Sequence, residues 1–502
     1  MTTQDSKKQI IKATGIVGSA QIITIIIRII RTKIIAVLLG PGGVGIAGLY
    51  FSTVELVRRG TGLGLDFSAV RNVAEANGSG DQQQIGLTIK ILRRLVWVTG
   101  FLGLAILVIF RKQFSLYAFK DTDHTFDFVF LSAIPLFSSI TGGQLALLRG
   151  VRRIGDMARA NILGAAAGLV ITVPLYWMMG IKGIVPAMVL TALAVLGLSW
   201  HFSRKIKVVP VSVTLRETIT GGAGMVRLGL FAALTGIMLT VTMYLVRIFI
   251  SGKLGVDGVG HFQAAWNISA IYVGLVLNSM GADYFPRLSA INRDDIQVCK
   301  LVNEQTEVAL LLAGPLVLGM ICFIDVIIKI FYSDKFEQSS SILLWQTMGN
   351  LLKVISWPMG FILLAKCKGA LFVFAEFLWN AIFLGITWAA WDKFGLEIIG
   401  IAFVAGYVVY IVVIYISCKQ ICDFSWSIKN KKMILFYVLL TGLSFINVKC
   451  QIVIFWRLLS MVLLAVAMAY SYYELRKIID IKMTLIKILN KIGMSKSGNN
   501  KK

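Results

Sequence analysis

Apolar stretches of about twenty residues recur along this chain from Ile22 to Tyr470. Each is long enough to cross about 30 Å of hydrocarbon at 1.5 Å per residue. Within hydrocarbon every backbone N–H and C=O needs an internal partner, and a helix supplies those partners segment by segment. The chain therefore reads as an all-α integral membrane protein. Composition agrees, since 57% of the 502 residues are hydrophobic and 15% are charged, whereas soluble domains carry roughly 25% charged residues. The first apolar stretch follows Lys7, Lys8 and Lys12 but precedes no small-residue cleavage site, which reads as a retained helix. About fourteen transmembrane helices are expected, over residues 14–39, 45–70, 92–110, 127–149, 160–180, 183–202, 225–250, 259–284, 307–331, 340–365, 369–390, 397–418, 433–447 and 451–473.

A formal charge of +25 raises the question of nucleic acid, and its distribution answers it. With a cytoplasmic N-terminus, 32 of the 50 Lys and Arg fall in cytoplasmic connections such as Arg149–Arg153, Arg204–Lys207 and Lys429–Lys432. Eight, among them Lys120 and Lys253, fall outside. That bias is the signature of membrane orientation and not of a nucleic-acid surface. Both termini are then cytoplasmic. After Tyr473 the positions Ile478, Ile481, Leu485, Ile488 and Ile492 share one helical face amid Lys477, Lys482, Lys487 and Lys491. A basic amphipathic helix of this kind suits a surface of anionic lipids. The six cysteines are read as reduced thiols, and no cofactor or metal site is implied.

An internal repeat organises the chain. Leu39-Gly40-Pro41-Gly42-Gly43-Val44-Gly45 and Leu254-Gly255-Val256-Asp257-Gly258-Val259-Gly260 agree at five of seven positions at an offset of 215 residues. Six crossings separate them, an even number, so the halves are parallel repeats. Gly183-Ile184 and Gly400-Ile401, each opening the last helix of its half, form a second echo. The expected organisation is a six-helix lobe over residues 1–206 and a second over 207–420. A transmembrane pair over 421–474 and a cytoplasmic tail over 475–502 follow. The two bundles enclose a central cavity.

Charge at membrane depth is the most informative feature, because an Arg at mid-bilayer costs roughly 2.5–3.5 kcal/mol on insertion scales. Gln21, Thr24, Arg28 and Arg31 form one stripe on the first helix. Ser52, Glu55, Arg59, Gly62 and Asp66, with Arg58 beside them, form another on the second. Thr240, Tyr244 and Arg247 continue the pattern on the seventh, and Gln263, Asn267, Gly274 and Asn278 on the eighth, where Trp266 is adjacent. Lys353 lies deep in the tenth, on a stripe with Gln346 and Asn350. Arginines outnumber carboxylates in the first four stripes, so an anion is the natural guest. A guanidinium offers a diphosphate two parallel charge-assisted bonds. Glu55 and Asp66 are candidate proton or ion carriers, and Glu55 also stands three and four residues before Arg58 and Arg59, where it can pair with them. No GxxxxGK[ST] loop occurs, which argues against ATP as the fuel.

The run Lys33-Ile34-Ile35-Ala36-Val37-Leu38-Leu39-Gly40-Pro41-Gly42-Gly43-Val44-Gly45, entering a polar second helix, resembles the polysaccharide flippases. These are the O-antigen translocases of the multidrug/oligosaccharidyl-lipid/polysaccharide exporter superfamily. The resemblance extends in helix order from about Ile10 to Lys419. It implies alternating access between two lobes in the inner membrane, serving lipopolysaccharide or a similar surface polysaccharide. The implied substrate is an undecaprenyl-diphosphate-linked repeat unit, flipped from the cytoplasmic to the periplasmic leaflet. The implied partners are a polysaccharide polymerase and a chain-length regulator. Related lipid II flippases use cavity arginines on the first, second and eighth helices. Arg28 and Arg58/Arg59 match the first two, and Arg247 on the seventh stands in for the third. Two other classes compete with this one. A multidrug cation antiporter needs an acidic or apolar cavity, and a glycan polymerase or ligase needs a sizeable catalytic loop outside. This sequence offers neither.

The topology makes a direct prediction. Cysteines replacing Lys120 or Lys253 are expected to react with a membrane-impermeant thiol reagent in intact cells, and cysteines replacing Lys205 or Asn430 are not. The opposite labelling pattern would invert the orientation.

Overall fold

A computed structural model describes residues 3–206, 208–449 and 453–478. Lys207, Cys450 and the amphipathic tail from residue 479 onward lie outside the described residues. The elements are helical throughout, with no strand among the described residues. In order they are α1 (Thr3–Thr61), α2 (Leu65–Ser79), α3 (Gln82–Ile109), α4 (Arg111–Phe119), α5 (Thr125–Leu131), α6 (Ala133–Gly150), α7 (Ile154–Met179) and α8 (Ile184–Ser203). There follow α9 (Leu215–Ala290), α10 (Asp295–Cys322), α11 (Ile324–Phe331), α12 (Ser339–Ala365), α13 (Gly369–Ala389), α14 (Trp391–Phe394), α15 (Ile398–Cys422), α16 (Ile428–Lys449) and α17 (Val453–Ile478). Ten stretches among the described residues are long and apolar enough to cross a membrane. Two of these, Ile154–Ser203 and Ala233–Leu277, run for 50 and 45 residues, more than twice the roughly 20 that one crossing needs.

Helix starts are written locally. The Asp81 carboxylate accepts from the backbone N–H groups of Gln83 and Gln84 at the head of α3. Asp294 accepts from that of Gln297 at the head of α10. At α9 the Thr214 N–H donates to Glu217 Oε2 at 2.7 Å and the Glu217 N–H returns to Thr214 Oγ1 at 3.2 Å. This reciprocal capping box ties off two donors and holds the Glu217 carboxyl below the usual range.

The backbone repeats itself. Gly40 (φ 65°, ψ −171°) and Gly255 (φ 67°, ψ −166°) break α1 and α9 with the same dihedrals. Only glycine occupies that region freely. Arg152 and Cys367, again 215 residues apart, both stand at left-handed φ values of 58° and 57°. Each closes its helix with a 6→1 bond, Arg153 N–H to Leu148 O at 2.8 Å and Lys368 N–H to Leu363 O at 2.7 Å. Gly180 (φ 57°, ψ −132°) and Gly395 (φ 54°, ψ −135°) make the third pair. This corrects one expectation. Gly183 and Gly400 share a following Ile but are two residues out of register, and the repeated conformation belongs to Gly180 and Gly395. Three backbone positions of α1 to α8 thus recur at one 215-residue offset within α9 to α15.

Packing divides the chain into two compact units. The first comprises Met1–Ala265, Ile328–Ser339 and Thr387–Leu396, and the second Trp266–Ile327, Ser340–Ile386 and Glu397–Lys502. In the first, Tyr50 and Val54 of α1 meet Leu107, Phe128, Leu131 and Ile184 in one core. Leu65, Ala69 and Val73 of α2 meet Ile89, Leu92 and Leu147 in another. In the second, α10 packs on α16 and α17, and the Tyr437 hydroxyl shares a 2.5 Å hydrogen bond with Ser471 Oγ.

The first unit also joins the two hairpin tips. A Cβ on Gly45 would run into the Val256 carbonyl, and a Cβ on Gly260 into the Pro41 carbonyl. Both residues and both carbonyls are related by the same 215-residue offset, so the contact is reciprocal. Ala at Gly180 or Gly395, where a Cβ meets open space, is expected to cost only backbone strain, about 1–3 kcal/mol. Ala at Gly45 or Gly260 must also push backbone aside. Melting temperatures in detergent should therefore fall further for Gly45→Ala and Gly260→Ala than for Gly180→Ala and Gly395→Ala. The reverse ranking would refute the tip contact.

Candidate functional site

The polar residues expected at membrane depth divide between the units. Arg28, Arg31, Glu55, Arg58, Arg59, Asp66 and Arg247 belong to the first, and Trp266, Asn267 and Lys353 to the second.

On the first half of α1, Thr24 Oγ1 returns its proton to the Ala20 carbonyl at 2.8 Å, the ordinary way a buried threonine is satisfied in a helix. Arg28 is exposed and, among the described residues, has neither an ion pair nor a hydrogen bond. Arg31 is turned into the α1–α7 contact. Its Nε is buried without an acceptor. A Cβ on Gly168 of α7 would come within 2.7 Å of its guanidinium, so the glycine makes the room. No carboxylate pairs with it among the described residues. A guanidinium keeps its charge at any cellular pH, so Arg31 is a half-buried cation without a counter-ion among the described residues.

The second half of α1 is different. Arg58 grips Glu55 with two bonds, Nε to Oε2 at 2.7 Å and Nη2 to Oε1 at 2.8 Å, and Arg59 Nε adds a third to Oε1 at 2.5 Å. The chain then reverses through Leu63 (φ 51°) and Gly64 (φ 65°). That turn returns Asp66 toward Arg58, where Nη1 donates to Oδ2 at 3.2 Å. Arg58, Arg59 and Asp66 line a cavity of about 180 Å³ together with Ser139 of α6 and Ala233 and Ile237 of α9. Two arginines and two carboxylates balance on this stretch, so the excess of arginine over the four stripes rests on Arg28, Arg31 and Arg247. Glu55 and Asp66 stand as counter-ions to Arg58 and Arg59.

Arg247 of α9 is only 5% exposed. Its Nε donates to Gln263 Oε1 at 2.9 Å and its Nη1 to the Met243 carbonyl at 3.0 Å, while its guanidinium carbon lies 5.4 Å from the Phe262 ring centroid. Gly48 of α1 leaves space for Gln263, since a Cβ there would be 3.1 Å from that same oxygen. Gln263, the Met243 carbonyl and the Phe262 ring are all neutral.

In the second unit the Trp266 ring meets Phe403 edge-on at 6.0 Å, and Asn267 is half-buried beside it. Lys353 Nζ lies 6.0 Å from the Tyr407 ring centroid and within electrostatic reach of Glu376. Glu376 in turn accepts from the Tyr410 hydroxyl at 2.9 Å. Asn350 donates at 2.7 Å to both Ser269 Oγ and Tyr272 Oη. Glu376 was visible in the sequence as an intramembrane carboxylate. Its partners on α12 and α15 were not, because no spacing rule links three separate helices.

Comparison with known proteins fits this arrangement. The lipid III flippase of Escherichia coli (strain K12) is 24% identical over 359 residues, covering 68% of this chain and 82% of the relative, and that of Shigella flexneri matches equally. Among solved structures, a lipid II flippase, MurJ, in an inward closed conformation superposes with a TM-score of 0.70 at 14% identity, over 91% of this chain and 98% of that one. An inward-facing multidrug resistance MATE family transporter of the MOP superfamily gives 0.67 at 16% identity, over 82% and 96%. These relatives are flippases and transporters, not enzymes. The family model described as "Polysaccharide biosynthesis protein" matches residues 34–341, well over half of the chain, and the chain belongs to that family of multi-pass membrane proteins.

Proposed function

We propose that the protein is a flippase that moves an undecaprenyl-diphosphate-linked oligosaccharide, an O-antigen or similar surface-polysaccharide repeat unit, across the inner membrane. Movement runs from the cytoplasmic to the periplasmic leaflet by alternating access, with both termini in the cytoplasm. One observation carries the reading. Arg28, Arg31 and Arg247 are cations within α1 and α9 that no carboxylate balances among the described residues. Cations held at such cost point to an anionic guest, and the forked guanidinium geometry matches a diphosphate.

Arg28, Arg31 and Arg247 are assigned to the diphosphate. Arg58 and Arg59, already held by Glu55 and Asp66, shape the adjoining wall. Trp266, Asn267 and Lys353 are assigned to the sugar side, where stacking and neutral hydrogen bonds suit a glycan. The two six-helix lobes, residues 1–206 and 207–420, are taken as the moving bodies, and the reciprocal Gly45 and Gly260 contact is one that alternating access must break. A polymerase and a chain-length regulator are the expected partners on the receiving side. A diphosphate of charge about −2 leaving a negative compartment gains roughly 2.3 kcal/mol per charge per 100 mV, a driving force that needs no nucleotide. A cation antiporter would use Glu55 or Asp66, and both are occupied by arginine.

Arg28→Ala and Arg247→Ala test this. Neither leaves a carboxylate unpaired, so membrane levels should stay near those of the unsubstituted protein. Glycan export per molecule should fall about ten- to a hundredfold, the loss of one or two charge-assisted bonds. Lys at either position should restore part of the activity, since a point charge replaces a fork. Near-normal export by both Ala variants would overturn the anion-clamp reading.

A further inference from the structure

The outer flank of the first unit carries a second site that the flippase reading does not use. α3 and α8 both pack along α6, and between them runs a groove of about 660 Å³. Its floor is α6, at Gly143 and Leu147, and its walls are apolar apart from the mouth. Ser199 of α8 donates to Gln144 Oε1 of α6, which fixes one wall to the floor.

The mouth is built twice over. On α3, Arg93 stands four residues before Trp97. On α8, Trp200 stands four residues before Arg204. Each wall thus presents an arginine about 6 Å along the helix axis from a tryptophan. The Arg204 guanidinium lies 4.9 Å from the Trp200 ring centroid. Trp97 and Trp200 are 47% and 53% exposed. Among the described residues neither arginine has an ion pair and no carboxylate lines the groove. Half-exposed tryptophans beside basic residues mark the level where hydrocarbon meets headgroups.

We propose that this groove binds one anionic phospholipid from the adjacent leaflet. An acyl chain lies between α3 and α8, and the phosphodiester sits between Arg93 and Arg204. Two guanidiniums without a carboxylate favour a headgroup of net negative charge, because the ammonium of a zwitterionic lipid would find no partner. Size selects the phospholipid over the substrate lipid. The groove has room for about twenty methylene-sized groups at the ~30 Å³ that one water occupies. That is one acyl chain and part of a second, well short of an eleven-isoprene tail.

Gly197 gives a clean way to test it, since this groove-lining position has open space where a Cβ would stand. Gly197→Leu should fill the groove without a clash. The purified protein would be exposed to dioleoylphosphatidylglycerol or dioleoylphosphatidylcholine, and retained lipids counted by native mass spectrometry. The unsubstituted protein is expected to retain phosphatidylglycerol at least fivefold better. Arg93→Gln/Arg204→Gln should abolish that preference, and Gly197→Leu should remove one bound phospholipid. An unchanged preference in the double variant would overturn the proposal. So would efficient displacement of phosphatidylglycerol by undecaprenyl diphosphate, which would make the groove a substrate-tail site. Should Gly197→Leu fail to fold, the double variant decides alone. None of these outcomes depends on glycan export.

Discussion

A guanidinium cannot shed its proton inside a membrane, so each arginine in a spanning helix must be answered by a counter-ion, by neutral dipoles or by a ligand. The first unit gives the first two answers and leaves two arginines over. Arg58 and Arg59 are met by Glu55 and Asp66. Arg247 is met by an amide oxygen and a carbonyl. Among the described residues no carboxylate meets Arg28 or Arg31. The local folding follows from these demands. The reversal at Leu63 and Gly64 brings Asp66 back to Arg58, and Gly168 and Gly48 stand where a side chain would displace Arg31 or Gln263.

The second organising constraint is duplication. Three positive-φ positions recur at one offset of 215 residues, glycine at two of the pairs and Arg152 against Cys367 at the third. At that third pair the backbone conformation is kept although the side chain differs. The reciprocal approach of Gly45 to Val256 and of Gly260 to Pro41 follows from the same duplication, since equivalent glycines meet equivalent carbonyls.

Much of this was legible in sequence because bilayer thickness and helix period act locally. The membrane class, the repeat at Gly40 and Gly255, and the pairing of Glu55 with Arg58 and Arg59 all depend on spacing alone. Asp66 joining that cluster required a positive-φ turn between them, and turns are decided by a few residues with little periodic signal. The pair Gly180 and Gly395 was hidden because neighbouring identity pointed to Gly183 and Gly400, two residues away. Gln263 meets Arg247 across the break at Gly255 within α9, while Glu376 beside Lys353 and the groove flanked by Arg93 and Arg204 depend on helices distant in sequence. No spacing rule reaches across that separation.

The central claim is that the protein passes an anionic, lipid-linked diphosphate through the membrane without nucleotide. Purified protein in vesicles loaded on one leaflet with a polyprenyl-diphosphate-linked oligosaccharide measures it directly. Translocation would be followed under imposed membrane potentials of either sign. Protein-dependent transfer is expected, and it should be faster when the leaflet left behind faces the negative side, since two charges gain about 4.6 kcal/mol per 100 mV. Transfer no faster than in protein-free vesicles at both signs of potential would contradict the account.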